Sequence, residues 1–358
     1  MDINILNTNY DIVGVLDSFT SLIWNVRYNE VGDFELKVPV SARDIEWLRE
    51  DYYIEIPDSD RTMIIERQEP DMDVEKGDIV IFKGRPLESI LDRRIVWQQT
   101  TVSGNLQNAI KRLLNENVIN PSIADRKISN FRFIDSTDSN VTSISIEETQ
   151  YTGDDLLEVI TTLCQNNDLG FKITLNSSKQ FEFRLYAGVN RTTSQIVYPQ
   201  VVFSLENDNL FSSKRMQDKS KYKNVTLIAG EGEGLARRTA TYGSASDLNR
   251  REYFSDARDI SSNEGMEDEI PPAEYNKMLI ERGKANLKEH IIEKEVEAEV
   301  DTSERAMFQY QQDYFIGDVV NVIDRYGVQF SARIKEMTIS LTQTGYQSYP
   351  IFEYEEAI

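Results

Sequence analysis

The 358-residue chain has 61 acidic and 39 basic side chains, which give it a net charge of -22. This charge repels phosphate, so we expect a protein that does not grip nucleic acid, although it could surround one. The single cysteine excludes an intrachain disulfide. Because the chain has only one cysteine and one histidine, it lacks the ligands that most zinc sites require. No apolar run reaches the roughly 18 residues of a membrane helix, and the acidic N-terminus is unlike a signal peptide. We therefore expect synthesis in the cytoplasm and no membrane insertion by this chain.

The first part of the chain, residues 1–97, has the pattern of a β domain. Short segments rich in Ile, Val, Phe and Tyr alternate with turn residues, which favours a barrel or a sandwich. One short helix is predicted over residues 42–50, with Ser41 as its N-cap. The predicted strands are 21–27, 33–38, 53–56, 63–69 and 79–84.

Residues 98–200 change to an α+β pattern. Apolar residues follow Ser103 at the helical period, which predicts a helix from this N-cap to about residue 117. A second helix is predicted after a segment like a capping box that starts at Thr152, and Gly170 is expected to close it. Strands at 171–175 and 180–186 complete this part of the chain.

The remaining residues return to β structure around one helix. Pro271 and Pro272 suit the first turn of that helix, which we expect to end near His290. The chain as a whole is therefore predicted to be mainly β, with α+β insertions. The strands predicted in this part are 224–229, 237–242, 293–300, 319–324, 329–341 and 351–354.

A glycine-rich segment, 230–234, follows a predicted strand and raises the question of a phosphate-binding loop. Its spacing is G-x-G-x-G rather than G-x-G-x-x-G, two glutamates within it would repel phosphate, and a strand follows it. A hairpin or bulge is the favoured interpretation. The basic pairs at 93–94 and 237–238 are expected to meet carboxylates rather than nucleic acid.

The remaining chemical candidates are isolated side chains. His290 could act as a general base, but a solvated histidine at a helix C-terminus is favoured. Cys164 falls on the apolar face of its helix and is interpreted as a core residue, with a dyad to His290 as the alternative. The acid pairs fit neither an EF-hand nor a placed carboxylate pair, so we expect no catalytic residue, no metal site and no cofactor. These pairs are Asp58/Asp60, Asp71/Asp73, Asp135/Asp138 and Glu267/Glu269.

Three blocks of sequence resemble the hub proteins of long-tailed phages, with the gp27-like baseplate hub fold shared by the N-terminal part of tail-associated lysins. They are residues 23–39, residues 63–66 with 84–95, and residues 314–322 with 332–336. The resemblance spans most of the chain in the right order. It implies two similar β-barrels with two smaller α/β or helical domains, and a homotrimer. The implied domains are a first barrel at 1–97, an α+β insertion at 98–200, a second barrel at 201–242 with 300–358, and a helix-containing insertion at 243–299.

The motif residues are expected to be architectural. Trp24, Phe34 and Leu36 should lie in the barrel core, and Gly32 should occupy a turn with positive φ. Arg85 or Arg94 is expected to pair with Glu88 or another carboxylate. The other motif positions are Arg27, Gly84, Leu87, Arg93, Gly317, Asp318 and Glu336, with Gly317 and Asp318 at the turn into the last barrel.

The resemblance implies a structural hub of the virion tail tip or baseplate, made in the host cytoplasm. Its expected partners are distal tail or tail tube proteins, the tape-measure protein, and tip, fibre or spike proteins. DNA would pass through the lumen without specific binding. The alternatives are a tail-associated cell-wall hydrolase and a receptor- or carbohydrate-binding tip protein. Because the sequence stops soon after the last predicted strand, we expect no lytic or receptor-binding domain and no enzymatic activity.

Overall fold

The computed structural model describes residues 2–43, 45–57, 59–71, 78–263, 265–267, 269–303, 305–342 and 345–355, without the side chain of residue 235. The fold is mainly β, which confirms the predicted class. The helices are α1 Leu106–Leu114, α2 Ser139–Thr142, α3 Leu156–Asn166 and α4 Pro272–Lys288. The strands are β1 Ile3–Leu6, β2 Ile12–Leu16, β3 Ser21–Arg27, β4 Asp33–Pro39, β5 Tyr53–Glu55, β6 Thr62–Asp71, β7 Ile79–Pro86, β8 Thr100–Asn105, β9 Phe131–Ile134, β10 Ser145–Tyr151, β11 Gly170–Leu175, β12 Phe181–Tyr186, β13 Val202–Ser204, β14 Leu210–Asp218, β15 Val225–Ala229, β16 Thr239–Tyr242, β17 Glu252–Asp256, β18 Glu293–Val300, β19 Val319–Ile323, β20 Gln329–Thr342 and β21 Gly345–Glu355.

The largest sheet joins the two ends of the described chain. Its strands run in the order β13-β19-β20-β3-β4-β7-β6-β5-β1-β2, and β21 pairs with β20. The pairing of β20 with β3 is antiparallel and extends from Glu336 opposite Arg27 to Thr342 opposite Ser21. Strands from both predicted barrel regions therefore lie in one continuous sheet. The number of barrels, like the four-part domain division, stays a prediction.

The interior of this sheet is set by alternating apolar residues. Trp24, Phe34 and Leu36 are at most 2% exposed, as predicted. Gly32 does not have the positive φ that we expected. It is needed for a different reason, because a Cβ there would overlap the carbonyl oxygen of Asn25 on the neighbouring strand. At Gly84, a Cβ would likewise overlap the carbonyl oxygen of Ile64.

Some local predictions in the first region were wrong. The expected helix over 42–50 is only a short 3-10 turn at Ile45–Trp47, and Asp44 lies outside the described residues. Strands β1 and β2 were not predicted. β1 is short, and it is fixed by antiparallel pairing with β2 and with the distant strand β5.

The helical part between β8 and β12 packs around an apolar cluster that it shares with Ile64, Leu87 and Leu91 of the first region. Helices α1 and α3 present their apolar faces to it, together with Phe171 and Phe183 of the sheet β11-β12-β9. The cap of α1 is Asn105 and not Ser103, because α1 starts at Leu106 and the Asn105 side chain accepts a hydrogen bond from the Asn108 N–H. The cap of α3 is Asp155, which accepts a hydrogen bond from the Glu158 N–H, rather than Thr152. Gly170 does not close α3 but starts β11.

The chain divides into two compact units, Met1–Ser213 with Glu297–Ile358, and Lys214–Val296. In the second unit α4 packs on the three-stranded sheet β16-β15-β17. Gly283 allows a close approach there, since a Cβ would press on the Ile228 side chain. Strands β14 and β18 form a separate two-stranded sheet.

Candidate functional site

The larger unit contains a set of charged side chains, together with Tyr28, that connect segments far apart in the sequence. Most of them are buried or half-buried, whereas Asp168 is exposed. We call this set the ionic junction. It consists of Arg27, Tyr28, Arg61, Glu88, Asp168, Arg191, Asp318, Arg333 and Glu336.

The most deeply buried pair in the junction is Arg61 with Glu88. Both side chains are 3% exposed, and Arg61 Nε lies 3.5 Å from Glu88 Oε1. Arg61 directly precedes the first residue of β6. Glu88 lies in the first turn of the 3-10 helix Leu87–Arg93. Glu88 also accepts a hydrogen bond from the Ile173 N–H at 3.2 Å. The pair therefore ties the first region to β11.

Burial governs the electrostatics of this pair. It raises the pKa of Glu88, although the charge of Arg61 acts in the opposite direction. Burial lowers the pKa of Arg61, but the charges of Glu88 and Asp60 outweigh that effect and leave the pKa raised. The guanidinium of Arg61 thus stays charged. Each side chain of the pair offsets the free-energy cost of removing the other from water.

Tyr28 links three segments through one hydroxyl group. The hydroxyl donates to the Asp168 carbonyl at 2.9 Å and accepts from the Gly188 N–H at 3.0 Å. Burial raises the pKa of Tyr28 to about 12, so the hydroxyl remains a donor at neutral pH. The ring lies under the guanidinium of Arg333, 5.3 Å from the ring centre.

Arg333 connects the C-terminal strands to the helical region. It donates to the Gly317 carbonyl at 2.8 Å and pairs with Asp168 and, at 3.1 Å, with Glu355. Its side chain is 6% exposed. Because the guanidinium can satisfy several acceptors at once, a single residue fixes the ends of separate segments.

Asp318 is a motif residue that lies directly before β19. It accepts from the Val189 N–H at 2.7 Å and the Phe315 N–H at 3.0 Å. It also pairs with Arg191 at 2.5 Å. Gly317 has a φ of 90°, which favours glycine at this turn.

Arg27 and Glu336 hold the β3–β20 pairing by their side chains. Arg27 Nε donates to Glu336 at 2.6 Å, and the same guanidinium reaches Asp33 at 2.8 Å and the Val31 carbonyl at 2.7 Å. The two motif residues are thus brought together, although the sequence did not indicate that they were partners.

The remaining motif residues serve nearby contacts. Arg85 pairs with Glu66 at 2.8 Å and with Asp92 at 2.9 Å rather than with Glu88. Arg93 pairs with Asp51 at 3.2 Å, and Arg94 donates to the carbonyls of Arg93 and Arg126. Leu87 is fully buried.

Several junction residues were not singled out from the sequence. Arg61, Asp168 and Arg191 lie outside the motif segments, whereas Tyr28 and Arg333 lie inside them. The available signal was a charged residue beside an apolar strand, which is too common in a chain with 28% charged residues to indicate burial.

The chemical candidates do not form a reactive site. Cys164 is buried and its pKa is raised by burial, so it is unsuited to act as a nucleophile. His290 Nδ1 lies 3.0 Å from the Asn286 carbonyl, and its ring packs on Tyr253. Segment 230–234 leads from β15 into a 3-10 turn and then β16, not into a helix.

The acid pairs and basic pairs are held by local partners. Asp135 pairs with Lys111 at 2.7 Å, and Asp138 caps α2. Asp60 pairs with Lys172 at 2.5 Å, and Arg237 with Asp256 at 2.6 Å. Asp58, Asp73 and Asp268 lie outside the described residues.

No three His, Cys, Asp or Glu side chains in the described ranges come together as a metal site requires. No helix among those residues has both the length and the apolar character needed to cross a bilayer.

Solved structures with a similar fold include tail proteins of phages and prophages. The tail protein of Neisseria meningitidis MC58 has a TM-score of 0.59 and 11% identity, over 99% of this chain and 96% of that one. The 43 kDa tail protein of prophage MuSo2 from Shewanella oneidensis has a TM-score of 0.59 and 14% identity, over 99% and 98%. Prophage tail protein gp18 from Listeria monocytogenes EGD-e has a TM-score of 0.54 and 13% identity, over 100% and 96%.

At the level of sequence, no curated protein matches the chain. Residues 2–352 match the family described as Siphovirus ReqiPepy6 Gp37-like protein. This match confirms the resemblance to phage proteins that the motif blocks indicated, and at the level of the family it confirms that the chain is not an enzyme. The chain belongs to the Siphovirus ReqiPepy6 Gp37-like protein family and has the fold of phage tail proteins.

Proposed function

We propose that this chain is a structural hub subunit of a phage tail tip or baseplate and that it assembles as a homotrimeric ring. One face of the ring meets the tail tube or a distal tail ring, and the other carries a tip, fibre or spike. Tape-measure protein and then DNA pass through the central channel. The protein is made in the host cytoplasm and acts in the virion.

The observation that carries this proposal is the full-length likeness to solved tail proteins, over 99% of this chain. The ionic junction supports it, because its half-buried Arg27–Glu336 pair reinforces the β3–β20 pairing that joins the N-terminal and C-terminal strands in one sheet. A ring of identical subunits needs such a unit, since head-to-tail contacts close only when every copy presents the same two surfaces.

Strand β18 is our candidate for the wall of the channel. On β18 the side chains of Glu293, Glu295, Glu297 and Glu299 are exposed, whereas Val296 and Val300 are buried. Residues two apart on a strand point to the same face, so these four carboxylates form a single acidic ridge. We place the acidic ridge at the channel, where negative charge repels DNA and lets it slide through.

The assembly is tested by measuring the mass of the purified protein in solution by light scattering. We expect about three times 41.3 kDa, alone or after co-expression with the adjoining tail proteins. A particle that stays monomeric under both conditions would contradict the ring.

The channel wall is tested by changing all four ridge glutamates to lysine in the full chain. We expect salt-sensitive binding of duplex DNA to appear and DNA release from assembled phage to slow. The matched control changes Asp17, Glu50, Asp125 and Glu206, which are also exposed, to lysine and alters the net charge equally. Equal DNA retention by both variants would show that the ridge does not face the channel.

A further inference from the structure

Residues 192–200 of the larger unit, between β12 and β13, form a loop that presents apolar side chains to solvent. We call them the apolar loop. Ile196 is 94% exposed, Val197 78% and Tyr198 49%, and among the described residues no other large hydrophobic side chain is as exposed as Ile196. Single exposed hydrophobic residues are common, but three in succession form a patch of the kind that marks a contact with another protein.

Hydrogen bonds hold the apolar loop in shape without covering these side chains. The side-chain nitrogen of Gln195 donates to the Tyr198 carbonyl at 3.1 Å, and its oxygen accepts from the N–H groups of Val197 and Tyr198, both at 2.8 Å. The Thr193 N–H donates to the side chain of Asn321 on β19 at 2.7 Å. The loop therefore keeps its shape before any contact forms, which lowers the entropy cost of binding.

A cleft of about 410 Å³ in the same unit exposes apolar side chains of its own. Trp97 is 52% exposed, and Ile95 and Ile123 are each 40% exposed. The guanidinium of Arg126 lies 5.1 Å from the centre of the Trp97 ring and donates to the Ile95 carbonyl at 2.7 Å. We call this site the Trp97 cleft. Tryptophan and arginine are the side chains that most often dominate the affinity of a protein contact.

The apolar loop and the Trp97 cleft lie apart on the larger unit. Ile95, in the cleft wall, pairs with Asp155 at the start of α3. The chain that leads into the loop is held near the other end of α3, because the Tyr28 hydroxyl joins Asp168 and Gly188. The 11 residues of this helix span roughly 16 Å. One copy therefore presents two separate surfaces, as a head-to-tail contact requires.

The charge of the chain favours a second copy as the partner of the apolar loop. Each copy carries a net charge of -22, so their acidic surfaces repel each other. Residues 192–205 contain no charged side chain, although 28% of the chain is charged. The Trp97 cleft is lined by three arginines and two aspartates, so it is not acidic either. These two surfaces can meet without the repulsion that acts elsewhere between copies.

We propose that the apolar loop of one copy inserts into the Trp97 cleft of the next copy in the ring. Ile196 and Val197 pack on Trp97, which removes exposed apolar side chains of both copies from water. Each copy gives its loop to one neighbour and its cleft to the other, so that three equivalent contacts close the ring. The inference rests on the ring proposed above and names the surfaces that join its subunits.

The contribution of the loop is tested by light scattering, under the conditions in which the unmodified full chain is trimeric. Ile196→Asp with Val197→Asp should raise the concentration at which the trimer dissociates about 100-fold, because two apolar anchors are lost. The matched control is Leu248→Asp with Ile291→Asp, which changes side chains of the smaller unit that are 92% and 62% exposed and adds the same charge. The control should assemble like the unmodified protein.

The receiving surface is tested by cross-linking. The native Cys164 is buried, so a thiol introduced at the surface is the one that reacts. A chain with Val197→Cys is co-expressed with a chain that carries Ile123→Cys, and the assembly is treated with a short bis-maleimide. We expect a linked pair of chains of about twice 41.3 kDa. Leu248→Cys in place of Val197→Cys should give no such pair.

The outcomes separate this inference from the ring itself. A monomeric unmodified protein overturns both. A trimer that survives Ile196→Asp with Val197→Asp overturns the inference alone, and so does the absence of a cross-link between positions 197 and 123. Equal loss of the trimer in the loop variant and in its control also overturns it, because added charge would then explain the loss.

Discussion

The two compact units are stabilised in different ways. Among the described residues, the larger unit has apolar clusters of 26 and 19 buried residues, and the ionic junction lies within it. Of the described residues in the smaller unit, five form a buried cluster, among them Tyr275 and Leu279 of α4. Its ion pairs, such as Arg282 with Asp259 and Arg258 with Asp256, are largely exposed.

This difference predicts a difference in local stability. Exposed ion pairs contribute at most about 1 kcal/mol each, because water and salt screen them. The smaller unit therefore depends on few apolar contacts and should open at a lower free energy than the larger one. Hydrogen exchange followed by mass spectrometry reports the two units separately, so it can test each prediction below.

The largest effect is expected at the buried pair of the junction. Glu88→Ala leaves the charge of Arg61 buried without its partner and should lower the unfolding free energy of the larger unit by about 3–5 kcal/mol. Arg85→Ala is the control, since Arg85 is 39% exposed and its loss should cost less than about 1 kcal/mol. If urea denaturation shows equal losses of unfolding free energy for the two variants, the buried pair contributes no more to stability than the exposed one.

The next effect separates the two units directly. Leu279→Ala removes a buried side chain of the smaller unit and should cost about 2–5 kcal/mol there, while exchange in the larger unit stays unchanged. Ile110→Ala, in the larger cluster, should do the reverse. If both variants speed exchange everywhere, the units unfold together and the comparison fails.

A smaller effect is expected at Tyr28. Tyr28→Phe keeps the ring but removes the hydroxyl that bonds Asp168 and Gly188, which should cost about 1–3 kcal/mol in the larger unit. Tyr326→Phe is the control, because Tyr326 is 88% exposed. A change in melting temperature no larger than that of the control would contradict a stabilising role for the Tyr28 hydroxyl in the junction.

The smallest effect concerns acid pH and the smaller unit. A hydrogen bond from Arg258 lowers the pKa of Asp256 below its usual 3.8. Since the folded pKa lies below the unfolded one, this stabilisation is present above pH 3.8 and is lost as the pH falls further. The melting temperature of Asp256→Asn should therefore lie below that of the unmodified protein at neutral pH and approach it in acid.

For Glu88 the pH dependence has the opposite sign, because burial raises its pKa in the folded larger unit. The stabilisation from the protonated carboxyl is complete below the unfolded pKa and is lost as the pH rises through the folded one.

A gap between the melting temperatures of Asp256→Asn and the unmodified protein that widens in acid would contradict the assignment for the smaller unit.

Much of the strand pattern could be predicted from the sequence, because alternation at Trp24, Phe34 and Leu36 is a local signal. The predicted ranges of β3 and β12 agree closely with the structure for the same reason. Motif resemblance, rather than composition, led to the family.

What could not be predicted is mostly the choice of partners. Nothing local indicates that Arg27 meets Glu336, or that Arg61 rather than Arg85 meets Glu88. Each pairing depends on the path of the chain through space. Gly32 is a similar case, since its need for glycine comes from the Asn25 carbonyl on the neighbouring strand and not from its own backbone angles.

The β3–β20 pairing has a consequence for synthesis of the protein on the ribosome. Residues 21–27 are complete long before residues 336–342, their partners, emerge. Until then one edge of β3 is left unpaired, and exposed edges recruit other strands. Closing so long a loop is also slow. We therefore expect nascent chains shorter than about 340 residues to aggregate or to occupy chaperones, and the final folding step to await the C-terminal strands.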